Sequence, residues 1–392
     1  MKILKLLSYY LPNISGITIE TQRVSKVLVK RGYEISVLTA QHQPDLDREE
    51  KIDGVTIVRL PVACFLGKWA VTPSLLWQSV RYIHQADVVN IHWPYAESFW
   101  VSIICWLLRK PLVVTHHTDE PDFSMLHWLP RLFARFALFI SYWLTAKVAH
   151  VIIPRTEDYV PSSFLLRHFH HKLNYCYPAI YKLPVDKLSL TKLRQRFGRF
   201  KYKIGFSGRV SRQKGITVLL EAISSLEQKL PGDFIILFAG PTREIIGERH
   251  KEELEPLVKK FSNRLAFLGY LHGGQLGAFY EFIDCLVLPS THRAESFGQV
   301  QVEAMLMGTP VVASDLPGAR VPVNKTGMGI LVPPGDVDYL AKSIAQVILS
   351  PQYYRENRQK VKSLFPPEKV FSFYDNLFQR LSSSVSSSPN NS

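Results

Sequence analysis

"DCLVLPSTHRAESFGQVQVEAMLMGTPVVAS", residues 284–314, decides the fold. The apolar run after Asp284 is bounded by Pro289-Ser290 and suits a short buried strand. Gly298 makes a turn that opens a helix over "QVQVEAMLM". Val300, Val302, Ala304, Leu306 and Met307 supply its apolar contacts, Gly308 ends it, and "TPVVAS" follows as a second buried strand. Two carboxylates, Glu295 and Glu303, flank the turn at Ser296-Phe297-Gly298. Taken alone, Glu295 reads equally as a first-turn charge favoured by the helix dipole, and Glu303 as a solvated helix residue. The surroundings decide between decoration and a site.

Outward from this stretch, buried strands and helical segments alternate along nearly the whole chain. In the first half, "MKILKLLS", "EISVLTA", "DVVNIHW", "PLVVTHH" and "AHVIIPR" read as strands, with helices over "TIETQRVSKVLVKRG" and "SFWVSIICWLLRK". "YKLPVDKLSLTKLRQRFGRF", residues 181–200, breaks the pattern as a polar, basic connector. The alternation then restarts with strands at "YKIGFSG", "DFIILFAG" and "NRLAFLGY" and a helix at "ITVLLEAISSLEQKL". Such alternation gives parallel sheets covered on both faces. The expectation is two α/β domains of one plan, an N-terminal one over 1–185 and a C-terminal one over 200–365. A C-terminal helix at 366–381 and a disordered tail at 382–392 follow.

The 392 residues are enough for two such domains. Four scattered cysteines form no zinc or redox motif and suit a reducing compartment. Lys5 interrupts the apolar start, which argues against a signal peptide, and no stretch reaches the ~20 apolar residues of a membrane span. A formal charge of +14 points to anionic lipid or a phosphate-bearing substrate. No RNA-stacking signature or zinc finger accompanies it, so nucleic acid is not expected as a partner. "DLD" at 45–47, between Pro44 and "REE", reads as a solvated loop rather than a metal site. "GMG" at 327–329 precedes a strand and so is no dinucleotide fingerprint.

Ligands of open parallel sheets bind beyond the carboxyl ends of the strands. Ser15-Gly16, His116-His117, Ser207-Gly208-Arg209, Gly240-Pro241 and Pro289-Ser290 all sit there, which argues for one shared site. In "GFSGRVSRQKG", Arg209 offers a fork and Lys214 a point charge, as a diphosphate requires; a plain basic loop is the competing reading. At the second helix start, the amides of Ser296, Phe297 and Gly298 attract phosphate oxygens. Glu303 lies a turn further on, where a carboxylate accepts ribose hydroxyls, and Glu295 points toward what the far phosphate carries. The two carboxylates thus make sense together if the ligand is a nucleotide sugar.

"GRVSRQKGITVLLEA", "FLGYL", the opening stretch with its "DLPG", and "GILVPPGD" resemble, in order and spacing, the group-1 (family 4) retaining glycosyltransferases of GT-B fold. The resemblance covers most of the chain and is stronger in the second half. It implies two Rossmann-like domains whose parallel sheets face a central cleft, 1–185 for the acceptor and 200–365 for the nucleotide-sugar donor. Arg209 and Lys214 would bind the donor diphosphate, with Ser296, Phe297 and Gly298 at the phosphates and Glu303 on the ribose. Glu295 would lie by the donor sugar. Gly16 matches the glycine loop after the first strand. His117 matches a histidine near the reacting sugar, with Asp119 beside it; both are candidate catalytic residues, as is Glu295. Read without the family, His116 and His117 serve equally as structural strand-end histidines. The chain departs from the pattern in having one glycine in "NISGI" and "PGAR" where relatives carry two glycines.

The function implied is transfer of a sugar from a nucleotide-sugar donor to a saccharide or lipid-linked acceptor hydroxyl, in surface polysaccharide or glycolipid synthesis. It would need no metal or other cofactor. A sugar-nucleotide epimerase of the same fold and a non-catalytic polyanion binder are the alternatives; a phosphorylase would need a cofactor lysine and a longer chain. The segment 123–156 holds four basic residues and no acid, with "MLHWLPRLFARFALFISYWLTAK" as its aromatic core. It reads either as a buried helix or as one lying in a membrane interface, with Trp128, Phe133, Phe136, Phe139, Tyr142 and Trp143 inserted. The second reading places a cytoplasmic protein peripherally on the inner membrane face, with Arg131, Arg135, Lys147 and Arg155 toward anionic lipid.

Overall fold

The computed structural model describes residues 1–66, 69–119, 128–241, 250–354 and 358–386, with backbone alone for 128–131, 250–253 and 384–386. They form two compact units, Met1–Ala179 together with the chain from Pro367 onward, and Ile180–Pro366.

The first unit is built on seven strands, β1 (Lys2–Leu6), β2 (Glu34–Ala40), β3 (Glu49–Ile52), β4 (Val55–Leu60), β7 (Val88–Trp93), β8 (Leu112–His116) and β9 (Val151–Ile153). A separate antiparallel pair, β5 (Cys64–Leu66) and β6 (Trp69–Val71), lies between β4 and β7 in sequence. The order β3-β4-β2-β1-β7-β8-β9 is parallel except for β3. The β3–β4 hairpin escaped the strand–helix alternation; its signal was the Asp53-Gly54 turn, both residues at positive φ. The sheet grows both ways from β1, which pairs with β2 on one side (Ile3 opposite Ile35) and β7 on the other (Ile3 opposite Val88). The crevice beyond β1 and β7 is therefore the topological switch point.

Helix Gly16–Lys30 starts there. Ser15 caps it, its Oγ accepting from the Thr18 amide at 3.2 Å. Thr21, Val24, Ser25 and Leu28 recur at helical spacing and are buried, as is Glu20.

The second unit carries β10 (Tyr202–Ser207), β11 (Phe234–Ala239), β12 (Leu265–Gly269), β13 (Cys285–Leu288), β14 (Val311–Ser314) and β15 (Gly329–Val332), all parallel, in the order β12-β11-β10-β13-β14-β15. Its switch point lies beyond β10 and β13. The helix expected after Gly298 runs Gln299–Met307. The segment expected as one helix after Gly215 is two, Ile216–Glu221 and Ile223–Lys229, divided at Ala222.

Two expectations change. The connector contains a helix, Lys187–Phe197, and belongs to the second unit, where it packs on helix Gly273–Phe282. Asp186 caps it by accepting from the Leu188 and Ser189 amides at 3.2 and 3.3 Å. Only Leu190 and Phe197 of this helix are fully buried, so its apolar period was faint among the charges. The C-terminal helix runs Pro367–Ser386, so residues 382–386, expected in the tail, are helical. It packs on the first unit through Asp375, which accepts from Tyr33 and pairs with Arg31 at 3.1 Å. Residues 387–392 lie outside the described residues.

Candidate active site

In the second unit, the loop after β10 and the turn after β13 are bound to each other. The Thr291 amide donates to Gln213 O at 3.0 Å. Gly215, at φ +66, lies so close to the Pro289 carbonyl that a Cβ would stand 1.8 Å from its oxygen. Only glycine permits that approach in that conformation. The contact brings Lys214 against the turn, where its ammonium forms an ion pair with Glu295. Both groups expected to act on the donor thus compensate each other here. Arg209 is half-buried two residues beyond β10.

Ser296, Phe297 and Gly298 lead into helix Gln299–Met307, with Gly298 left-handed at φ +73 as its N-cap. The Phe297 side chain is core, edge-on to Phe365 at 5.8 Å, so only its backbone is offered to a ligand. The buried Gln301 amide holds the turn by donating to Phe297 O at 3.3 Å and Ala319 O at 2.8 Å. Gly318 abuts it: a Cβ there would meet Ser296 O at 2.1 Å. "PGAR" therefore keeps a glycine where the turn is touched.

Glu303 is buried and not a solvated helix residue. The Tyr280 hydroxyl lies 3.2 Å from its Oε2 and 3.0 Å from Ser207 Oγ, tying the carboxylate to the end of β10. A carboxylate only accepts, so the Tyr280 proton goes to Glu303. Tyr280 was missed because it lies mid-helix in "GAFYEF", away from any strand end.

In the first unit, Gly16, expected in the loop after β1, is the first residue of helix Gly16–Lys30. His116 ends β8 and His117 follows it, and both are buried. Asp119, expected beside His117, serves His116: its Oδ1 is 2.9 Å from His116 Nε2 and accepts from Ser163 Oγ at 2.7 Å. Strand alternation turns the two histidines opposite ways, and residue 119 lies on the side of the first. His117 instead meets His92, Nε2 to Nδ1 at 3.1 Å, with the rings stacked at 5.4 Å. Arg155 Nη2 is 3.2 Å from both ring nitrogens of His117. Burial first, then the Arg155 charge, hold His117 well below the usual histidine range, so the ring is neutral. His92, which sequence reading did not select, and Arg155, which it assigned to a lipid surface, stand at or just after the ends of β7 and β9, where the strand-end rule looks.

The described side chains of helix Trp128–Val148 are neither all buried nor all exposed. Leu138, Tyr142 and Ala146 are buried, Tyr142 stacking on Trp93 at 4.5 Å, and Trp143 is half-buried. Phe133 and Phe136 are 75% and 61% exposed, and Phe139, Ile140 and Leu144 are exposed beside them. Arg155 is buried and cannot face a lipid surface, whereas Arg135 and Lys147 are exposed. The side chains of Trp128 and Arg131 lie outside the described residues. No described helix is long and apolar enough to cross a membrane.

The family model for glycosyl transferases group 1 matches residues 191–363, and that for Glycosyltransferase Family 4 matches residues 14–158. An uncharacterized glycosyltransferase of Methanocaldococcus jannaschii is 26% identical over 375 residues, covering 89% of each chain. The alpha-monoglucosyldiacylglycerol synthase of Acholeplasma laidlawii is 25% identical over 81% of this chain and 82% of its own. The phosphatidyl-myo-inositol mannosyltransferase of Mycobacterium leprae is 26% identical over 85% of this chain and 83% of its own. Among solved structures, Anabaena HepE in complex with UDP and glucose superimposes with a TM-score of 0.76 at 21% identity, over 97% of this chain and all of that one. The likeness in fold extends over both α/β units, and the chain belongs to the group-1 glycosyltransferases, enzymes of GT-B fold.

Proposed function

We propose that the protein transfers a sugar, with retention of anomeric configuration, from a nucleotide-sugar donor to an acceptor hydroxyl of a membrane glycolipid or growing surface saccharide. The observation that carries this reading is the bound pair of loops beyond β10 and β13, which sets Lys214 against Glu295 just ahead of the helix start at Gly298, with Arg209 in the first of the two loops. Departure of a nucleoside diphosphate builds negative charge on the leaving oxygens. Arg209, Lys214 and the amides of Ser296 to Gly298 meet that charge where it develops. Lys214 can exchange its carboxylate partner for phosphate, leaving Glu295 to the sugar. Glu303, held by Tyr280, takes the ribose hydroxyls. These groups compensate the diphosphate without a metal ion. On the acceptor side, neutral His117 offers a ring nitrogen near the reacting sugar. A thermal-shift panel of nucleotide sugars tests the reading, since a ligand of the folded state raises its stability. Stabilisation by none of them would refute it, and donor turnover without any acceptor would favour the epimerase.

The lipid-linked acceptor is supported by the relatives that act on glycerolipid and phosphatidylinositol, and by one face of the first unit. There Phe133 and Phe136 stand exposed with Trp77 and Trp106, on three helices that pack in sequence order. A monomer seldom exposes so many large apolar side chains together unless something covers them. With the net charge of +14, the partner we propose is the anionic, cytoplasmic leaflet. Co-sedimentation with anionic vesicles should be strong at low salt and fall when Phe133 and Phe136 become glutamate. Equal binding by the wild type and that variant would remove the membrane claim alone.

A further inference from the structure

The first unit buries charges that donor binding does not use. Glu20, on helix Gly16–Lys30, and Arg155, just after β9, are each about 2% exposed or less and pair at 2.6 Å. A buried ion pair is a poor device for stability alone, because apolar residues of similar volume often serve as well. What the pair touches is more informative. Arg155 Nη2 lies 3.2 Å from both nitrogens of His117, and Glu20 Oε2 lies 3.8 Å from His117 Nδ1. Tyr374 of the C-terminal helix also favours the Arg155 charge, and its hydroxyl is 3.4 Å from Thr115 Oγ1. Arg155 is thus paired with Glu20 where it meets the imidazole.

We infer that Glu20 and Arg155 are positioning residues for His117: the carboxylate fixes the guanidinium, and the guanidinium fixes the place and form of the imidazole. The inference rests on the proposed role of His117, but its first readout does not. The groups facing His117 are Arg155 beyond β9, Glu20 on the first helix, His92 on β7 and its neighbour His116. Lys5 on β1 acts at one remove, through Glu20 and His92. The lone anion among them is masked by Arg155. Remove the guanidinium and a buried carboxylate faces the ring uncompensated, which favours the imidazolium.

The test is histidine-ring NMR on the full chain, with the His117 signal assigned by its loss in His117→Ala. In the wild type the ring should not titrate between about pH 5.5 and 8, the window in which an ordinary histidine does. Arg155→Met should make it titrate, the double variant Glu20→Gln/Arg155→Met should silence it again, and Arg155→Lys should behave as wild type. Turnover by Arg155→Met should fall about a hundredfold at the acid end, with unchanged donor KM, and recover in part as pH rises, to a deficit of about tenfold. A purely structural pair would lose activity without that recovery. A folded Arg155→Met whose His117 stays silent and whose kcat is normal would overturn the inference. Should Arg155→Met not fold, the charge-neutral double variant decides: kcat should drop about tenfold or more at unchanged KM, and a normal kcat would overturn it. No turnover even by the wild type, with the NMR pattern as expected, would count against the proposed reaction and not against the pair.

Discussion

Gly215→Ala should damage donor binding out of proportion to its size. Gly215 is left-handed at φ +66, a conformation that costs an ordinary residue ~1–2 kcal/mol. Its added Cβ would stand 1.8 Å from the Pro289 carbonyl oxygen, where 3.0 Å is the practical minimum, so one backbone must retreat by more than 1 Å. Relieving such a contact costs a further ~1–3 kcal/mol. The total of ~2–5 kcal/mol should lower the melting temperature by roughly 5–15 °C for a unit of this size. The retreat also separates Lys214 from Glu295 and the turn at Ser296. Misplacement by about 1 Å can cost around a hundredfold, so affinity for the nucleoside diphosphate should fall ~10–100-fold. Gly327→Ala is the matched control. Gly327 has φ +71, but nothing lies within 4 Å of its Cβ position. It should lose only the ~1–2 kcal/mol of conformation and none of the affinity. Calorimetric titration and thermal melts of the two variants separate the effects. Equal, small losses in both would refute the claim that the Gly215–Pro289 approach sets the donor loop.

Glu295→Gln should lower kcat by about a hundredfold while donor affinity stays within a few-fold or tightens, because Lys214 loses a competing carboxylate; near-normal turnover would remove Glu295 from the reaction. Activity should survive EDTA, and a complete loss restored by magnesium or manganese would refute metal independence. Burial lowers the Lys5 pKa to about 7, so between pH 7 and 9 the unfolded chain holds a proton that the folded one has released. Stability should rise with pH there, by up to about 1.4 kcal/mol per unit, and denaturant titrations of Lys5→Met should show that slope removed.

How much of this was legible follows from what each residue's neighbours are. Strand ends can be read from one chain, because a buried parallel strand is a short apolar run with a polar stop. Gly16, His117 and Arg209 were singled out that way, and the turn at Gly298 by the glycine that opens a helix. The same rule applied evenly would have selected His92 after "VVNI" and Arg155 after "VIIP". What the sequence could not carry is pairing across it. Asp119 is two residues from His117, yet it bonds His116, because adjacent residues of a strand point to opposite faces. Glu295 and Lys214 are 81 residues apart and meet only because Gly215 lies against Pro289. Glu20 shows the same limit from the other side. A carboxylate in an amphipathic helix is usually read by its charge as solvated, although Glu20 stands four residues before Val24 and eight before Leu28, on the face that the period buries. Its burial depends on a cation supplied 135 residues later, on an element whose sequence shows only a strand ending in a base. Buried ion pairs are therefore the part of a site that pattern reading systematically assigns to the surface, and they are where a departure from a hydrophobic period in either partner is most informative.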